Sequence, residues 1–135
     1  MYAYGEANVP KVTVTLRKSY GGAHCVMSSK QLKGDINYAW PTAEIAVMGP
    51  QGAIEVLEGK TISEIADAAE RKEYVAKKEQ EYHDKFANPY EAARYGYLDD
   101  VIEPRNTRFR VIRALRTLST KKDPGPMKKH GNIPL

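Results

Sequence analysis

Residues 11–30, KVTVTLRKSYGGAHCVMSSK, call for two kinds of backbone in succession. From 11 to 17 apolar and polar side chains alternate, with β-branched residues throughout 12–15, and this period of two predicts a half-buried strand. Gly21 and Gly22 break the pattern. Residues 23–32 then place Ala23, Val26 and Met27 at helical spacing, which predicts a short helix with those three side chains inward. A strand that feeds a helix through a glycine pair is the junction of an α/β fold.

Glycines at such a junction have two readings. One is a plain tight turn. In the other, the missing side chains let a ligand approach the backbone. The N–H groups of the first helical turn have no partner inside the helix and sit at the positive end of its dipole. Such groups can hold an oxygen on which negative charge develops, with no acidic or basic side chain involved. A phosphate-binding loop would place Lys and Ser/Thr near the second glycine, but Gly22 is followed by Ala23, which argues against a nucleoside triphosphate. Residue types alone leave the two readings open.

The remaining chain fits the same class. Residues 2–7 read as the end of a helix. Residues 36–49, INYAWPTAEIAVMG, mix aromatic and β-branched side chains around Pro41, and 44–48 are expected to form a second strand closed by Gly49 and Pro50. Residues 51–59 predict a short helix with Ala53, Ile54 and Leu57 on one side. Thr61 and Glu64 have capping-box spacing, so a longer helix is expected to start there, with Ile62, Ile65, Ala66 and Ala69 as its apolar stripe. Residues 71–84 are almost all charged and predict a solvated continuation. Asn88 and Pro89 open a further helix that Gly96 stops. Residues 97–104 read as a strand, and Thr107 is expected to cap a last helix with Val111, Ile112, Leu115 and Leu118 inward. Prolines and glycines after Lys122 predict an extended arm.

At 135 residues, 41% hydrophobic and 28% charged, the chain has the make-up of one globular domain. A single cysteine, Cys25, excludes an internal disulfide and fits a reducing compartment. His24, His83 and His130 lack ligand spacing, so no metal site is predicted. Cys25 near a helix start could be an activated thiol, or simply a small packing residue. From residue 105 onward there are nine Lys/Arg and one acidic residue, but Phe109 is the only aromatic among them. No nucleic-acid partner is expected, and the basic end reads better as a subunit contact.

The quoted stretch, together with YAWPTAEIAVMG at 38–49 and KKHGNIPL at 128–135, resembles the C-terminal part of the carboxyltransferase (β) subunit of biotin-dependent acyl-CoA carboxylases. The propionyl-CoA carboxylase type is the nearest in pattern, and the carboxyltransferase chains of methylmalonyl-CoA decarboxylase and transcarboxylase are related to it. The resemblance implies a crotonase-like (ClpP/crotonase) α/β fold: a partial C-terminal carboxyltransferase domain over 1–122, with short strands, glycine turns and a helical second half, then an arm over 123–135. It implies transfer of a carboxyl group between carboxybiotin and a short-chain acyl-CoA, such as propionyl-CoA or methylmalonyl-CoA. It equally fits the reverse transfer in a decarboxylase, and a third expectation is a fragment that serves only in assembly.

By the same resemblance, the backbone N–H groups of Gly22 and Ala23 form the oxyanion hole for the biotin ureido carbonyl. Tyr20, Gly21, His24, Cys25, Trp40 and Pro41 shape the pocket around it, with core packing an equal reading for Trp40. Biotin would arrive on a partner, either a biotinylated carrier protein or a biotin carboxylase subunit. The acyl-CoA would be shared with the N-terminal carboxyltransferase domain of a neighbouring subunit in a homo-oligomer, a hexamer in full-length members. The expected compartment is the cytoplasm, or the mitochondrial matrix in a eukaryote. The isolated chain is expected to be inactive. One position departs from the pattern: His24–Cys25 stands where propionyl-type members commonly read Tyr-Asp.

Overall fold

The computed structural model describes residues 1–124. Most of the 123–135 arm, including the terminal motif at 128–135, therefore lies outside the described residues. The elements run α1 (Tyr2–Glu6), β1 (Val12–Thr15), β2 (Lys18–Tyr20), α2 (Gly21–Val26), β3 (Ile36–Ala39), β4 (Glu44–Ala46), α3 (Pro50–Glu64), α4 (Ala68–Phe86), α5 (Pro89–Arg94), β5 (Asp100–Val101) and α6 (Thr107–Thr117).

The strands form two small parallel sheets, one ordered β1-β3-β5 and the other β2-β4. Twice the chain leaves the first sheet and enters the second. Residues 11–17, expected as one strand, run into a second strand in another sheet: Trp40 N donates to Thr15 O at 2.9 Å and Glu44 N donates to Arg17 O at 3.1 Å. Between those two bonds the partner chain makes a turn, with Ala43 N donating to Trp40 O at 2.9 Å, so both strands swing together into the second sheet. Residues 36–39, which the sequence pattern did not mark as a strand, are the centre of the first sheet. The strands expected at 44–48 and 97–104 shrink to Glu44–Ala46 and Asp100–Val101.

Two apolar clusters hold this frame. Ala39, Ala43, Ile45, Ala92 and Leu98 join α5 to both sheets. Tyr38, Ile102 and Ala114, with Val12, Val14, Ile36 and Trp40 against them, join α6 to the first sheet. On α6 the buried residue is Ala114, while Ile112 and Leu115, expected inward, are 41% and 45% exposed. The small Ala114 side chain lets the helix lie close to β1 and β3, and that approach selects the buried face. Thr107 does not cap α6. Its hydroxyl accepts from Trp40 Nε1 at 2.8 Å instead.

α2 is shorter than expected. It ends at Val26, Ser28 takes a left-handed backbone at φ 64°, and Ser28 and Ser29 become buried while Ala23 and Met27 are exposed. The expected helix start at Thr61 is absent. Pro50 sits at the first position of a helix that runs unbroken to Glu64, so the Thr61 N–H already has a carbonyl one turn earlier and needs no cap. Asp67 caps the next helix, α4, accepting from Ala69 N at 3.2 Å. The stripe expected over 62–69 is thus divided between two helices. α4 has no buried residue, as its charge predicted. Asn88 caps α5, accepting from Glu91 N at 3.0 Å, and Gly96 follows its end at φ 77°. Among the described residues, no helix is long and apolar enough to cross a membrane.

Candidate functional site at the β2–α2 junction

The glycine pair does two different jobs. Gly21 has φ 51°, and a Cβ built there would lie 2.7 Å from the Val47 carbonyl oxygen. It is glycine because the fold demands it: a left-handed backbone pressed against a neighbouring chain segment. Gly22 has ordinary φ, and a Cβ there would meet nothing within 4 Å. No internal packing requires a glycine at 22, and the space over it is open.

The first turn of α2 is bare as well. Tyr20 occupies the cap position without a side-chain bond, and the turn carries no acidic residue. The backbone bonds joining one element to another include none from the Gly22 or Ala23 N–H. Both residues are exposed. Both N–H groups belong to the exposed first turn of a short helix, at the positive end of its dipole.

Both flanks of this turn are braced. Ser19 Oγ and His24 Nδ1 lie 3.0 Å apart, tying α2 back to β2. Burial holds the His24 imidazole below its usual pKa. The Tyr20 hydroxyl donates to Glu44 Oε2 across β2 and β4. The Tyr20 ring passes beneath Gly49, where an added Cβ would sit 3.2 Å from Cε2. Burial, the hydrogen bond and the charge of Glu44 push the Tyr20 phenol up to about 12. His83 Nε2 stands 4.0 Å from the same carboxylate.

A cavity of about 750 Å³ opens beside the turn. Gly21, His24 and Cys25 form one wall, Ile45, Ala46 and Val47 another, and Tyr82 and Phe86 of α4 close it with Tyr95 and Tyr97. The Cys25 thiol is free and half-buried. Tyr82 is fixed by donating its hydroxyl to Met48 O at 3.3 Å, and its ring lies 5.2 Å from that of Phe86. Such a space suits a flat, largely uncharged group. Among the described residues, no group of three or more His, Cys, Asp or Glu side chains is placed to hold a metal ion.

Of the residues singled out by sequence, Gly21, His24 and Cys25 line this cavity, while Gly22 and Ala23 lie exposed in the same turn but outside its lining. Trp40 and Pro41 do not line the cavity. Trp40 packs in the core under α6, and Pro41 is exposed in the turn between β3 and β4. Tyr20 acts from behind as a brace rather than as lining. The aromatic wall was missed. Its one local signal is Tyr82 and Phe86, four apart on an otherwise charged helix and so on one face.

The chain matches the family model for the carboxyl transferase domain over residues 1–133. It is 57% identical over 135 residues to the propionyl-CoA carboxylase beta chain of Cereibacter sphaeroides, covering all of this chain and 25% of that one. Against the methylmalonyl-CoA decarboxylase subunit alpha of Propionigenium modestum it is 53% identical over 135 residues, covering all of this chain and 26% of the relative. It thus spans about a quarter of the length of the curated relatives it matches. A solved structure of transcarboxylase 12S, described as a hexamer with methylmalonyl-coenzyme A bound, superposes with a TM-score of 0.85 at 48% identity, covering 99% of this chain and 25% of that one. The short parallel strands and flanking helices are those of the crotonase-like α/β fold.

Proposed function

This chain belongs to the carboxyl transferase domain family, and we propose that it is the C-terminal part of a carboxyltransferase subunit, forming the biotin-side half of a composite site. The observation that carries the reading is the open Gly22. No packing in the fold requires a glycine there, and Gly22 and Ala23 are exposed in the turn whose neighbours Gly21, His24 and Cys25 line an aromatic cavity. The bare, uncapped first turn and the apolar walls fit the ureido edge and bicyclic body of biotin, carried on a partner protein. When bound, that group supplies the carboxyl to be moved and an oxygen that gains negative charge.

The chain's own residues then have distinct tasks. The Gly22 and Ala23 N–H groups donate to the developing oxyanion, and loss of one such donor typically costs about 2.7–4 kcal/mol in the barrier. Gly21 and the Ser19–His24 pair fix the direction of those amides. Tyr82, Phe86 and the apolar strand ends exclude water from the space beside them. Cys25 puts a small thiol in the wall where propionyl-type members commonly carry a carboxylate, which makes the wall more apolar and assigns no one short acyl group over another. Propionyl-CoA and methylmalonyl-CoA are the substrates proposed, with the acyl-CoA held against the other half of the site on a neighbouring subunit of a homo-oligomer. The likeness to a decarboxylase subunit supports a second reading, in which the same amides serve the reverse transfer.

The test is carboxyl transfer from methylmalonyl-CoA to free biotin. It is run with the chain alone, with the rest of a full-length relative supplied as a second polypeptide, and with Ala23→Pro, which removes one donor in a turn that tolerates proline. The expected result is silence alone, transfer on mixing, and a 10²–10³-fold loss, order of magnitude, in the proline variant while the complex still forms. Turnover by the chain alone, or undiminished transfer by the variant, overturns the reading.

A further inference from the structure

One carboxylate stands between the two walls of the cavity beside the β2–α2 turn. Glu44 Oε2 accepts from the Tyr20 hydroxyl on one side, and His83 Nε2 lies 4.0 Å from the same oxygen on the other. Tyr20 is the residue from which α2 starts, so its side of the contact belongs to the turn. His83 lies on α4 between Tyr82 and Phe86, which line the cavity. Phe86 is three residues further on and shares its face of the helix. At 4.0 Å the imidazole is beyond hydrogen-bond reach, and the contact attracts when the ring carries a proton.

α4 is lightly held here. None of its residues is buried, and Tyr82 to Met48 O at 3.3 Å and His83 to Glu44 are its described side-chain contacts with the β4 side. A helix with so little buried surface shifts under a small bias. The charges around His83 leave one group able to supply it. Asp84 Oδ1 lies 3.4 Å from Nδ1 but sits on the same helix, so its attraction moves nothing. Among the described residues, Glu44 is the carboxylate within 4.0 Å of His83 that belongs to another element. Lys18 faces Glu44 in the ladder, Glu79 and Lys85 lie along α4, and Glu91 of α5 pairs with Arg94 at 3.7 Å. Residues 50–53, the first turn of α3, carry no charge. The Tyr20 phenol, pushed up to about 12, stays a neutral donor to Glu44. His24 in the opposite wall is paired with Ser19 and held below its usual pKa by burial.

We propose that Glu44 and His83 are positioning residues that set the opening of this cavity: protonation of His83 draws α4 toward β4 and brings the Phe86 ring onto the β2–α2 turn. The bearing on catalysis rests on the proposed function, because a narrower space grips a flat ring system more tightly. Imidazoles change charge between about pH 5 and pH 8. The attraction to Glu44 is absent at the upper end of that range and grows as pH falls through it. With the charge of Glu44 removed, a protonated His83 has no carboxylate off its own helix within 4.0 Å, and the wall stays open at every pH.

The experiment uses the two phenylalanines of the chain, Phe86 and Phe109, both replaced biosynthetically by 4-fluorophenylalanine. Their fluorine resonances are followed in the 135-residue chain from about pH 8 to about pH 5.5. Phe86 should move along a one-proton curve, while Phe109, exposed on α6, stays in place as the internal control. Glu44→Gln keeps an acceptor for Tyr20 and removes the charge, and should cut the Phe86 shift at least about three-fold. His83→Gln, on an exposed helix, should abolish it. A Phe86 shift undiminished in Glu44→Gln overturns the inference, because Asp84 and the local field would then account for it. So does a Phe86 resonance that does not titrate in the parent chain. In the complemented carboxyl-transfer assay, the KM for free biotin of the parent relative to Glu44→Gln should fall about three-fold over the same range. A ratio that is level with pH overturns the inference as well. An intact fluorine titration in a complex that transfers no carboxyl group counts against the proposed function and not against this pair.

Discussion

Gly21 and Gly22 are adjacent and identical, and their environments separate them completely. Alanine at 21 would have to hold a left-handed backbone while its Cβ presses on the Val47 carbonyl. Gly21→Ala is expected to destabilise the chain by roughly 2 kcal/mol or more, read as a shift in urea midpoint. Alanine at 22 meets open space on a helical residue, so Gly22→Ala should leave stability unchanged or raise it by up to about 1 kcal/mol. In the complemented carboxyl-transfer assay the same variant should lose activity, because the methyl group fills the approach to the free amides. A variant that is stabilised and fully active would remove the reason for a glycine at 22. The pair itself was legible as a strand-to-helix turn. Its division of labour was not, because that depends on Val47, which arrives from another strand.

Among the elements, the parts specified by neighbouring residues were the ones sequence could read. The charge of α4, the Asn88 cap of α5 and the Gly96 stop all act within a turn of where they are written. The α3–α4 region failed for the complementary reason. Thr61 and Glu64 have the spacing of a cap, but a helix already running from Pro50 satisfies the Thr61 N–H. The working cap is Asp67. Asp67→Ala should cost about 1 kcal/mol and fray the start of α4, whereas Thr61→Ala should change stability by less than about 0.5 kcal/mol. Thermal melts of the two variants decide it, and the reverse order would restore the capping box. The change of sheet at residues 16–17 was hidden for a similar reason, since the turn that drives it lies in the partner strand at 40–43. The aromatic half of the cavity is the same kind of case. Tyr82 and Phe86 reach the β2–α2 turn only through the packing of a long helix.

Across the whole molecule, one carboxylate ties distant parts of the chain. Asp35 accepts from Lys11 N at 2.7 Å and from Lys121 Nζ at 2.9 Å, and Lys121 also donates to Val9 O at 3.2 Å. Burial alone would raise the Asp35 carboxyl, but the Lys121 and Lys11 hydrogen bonds outweigh it and hold it below the usual carboxylate range. A depressed folded pKa means that the unfolded chain binds the proton first. The stabilisation is therefore complete above the unfolded value near 3.9 and is lost as pH falls through the folded one. Asp35→Asn should weaken the fold by roughly 1.5–3 kcal/mol at neutral pH, and the gap from the parent chain should close in acid. Urea titrations at neutral pH and well below pH 4 measure it. A gap that persists in acid would mean that shape, not charge, joins these segments.

Trp40 is the only tryptophan in the chain, and its indole N–H is bonded to the first residue of α6. Its emission therefore reports one place, the seam between β3 and that helix, with the nine tyrosines silent under selective excitation. A red shift that precedes any loss of far-ultraviolet helical signal would time the detachment of α6. The protein thus carries its own optical gauge for the order in which it comes apart.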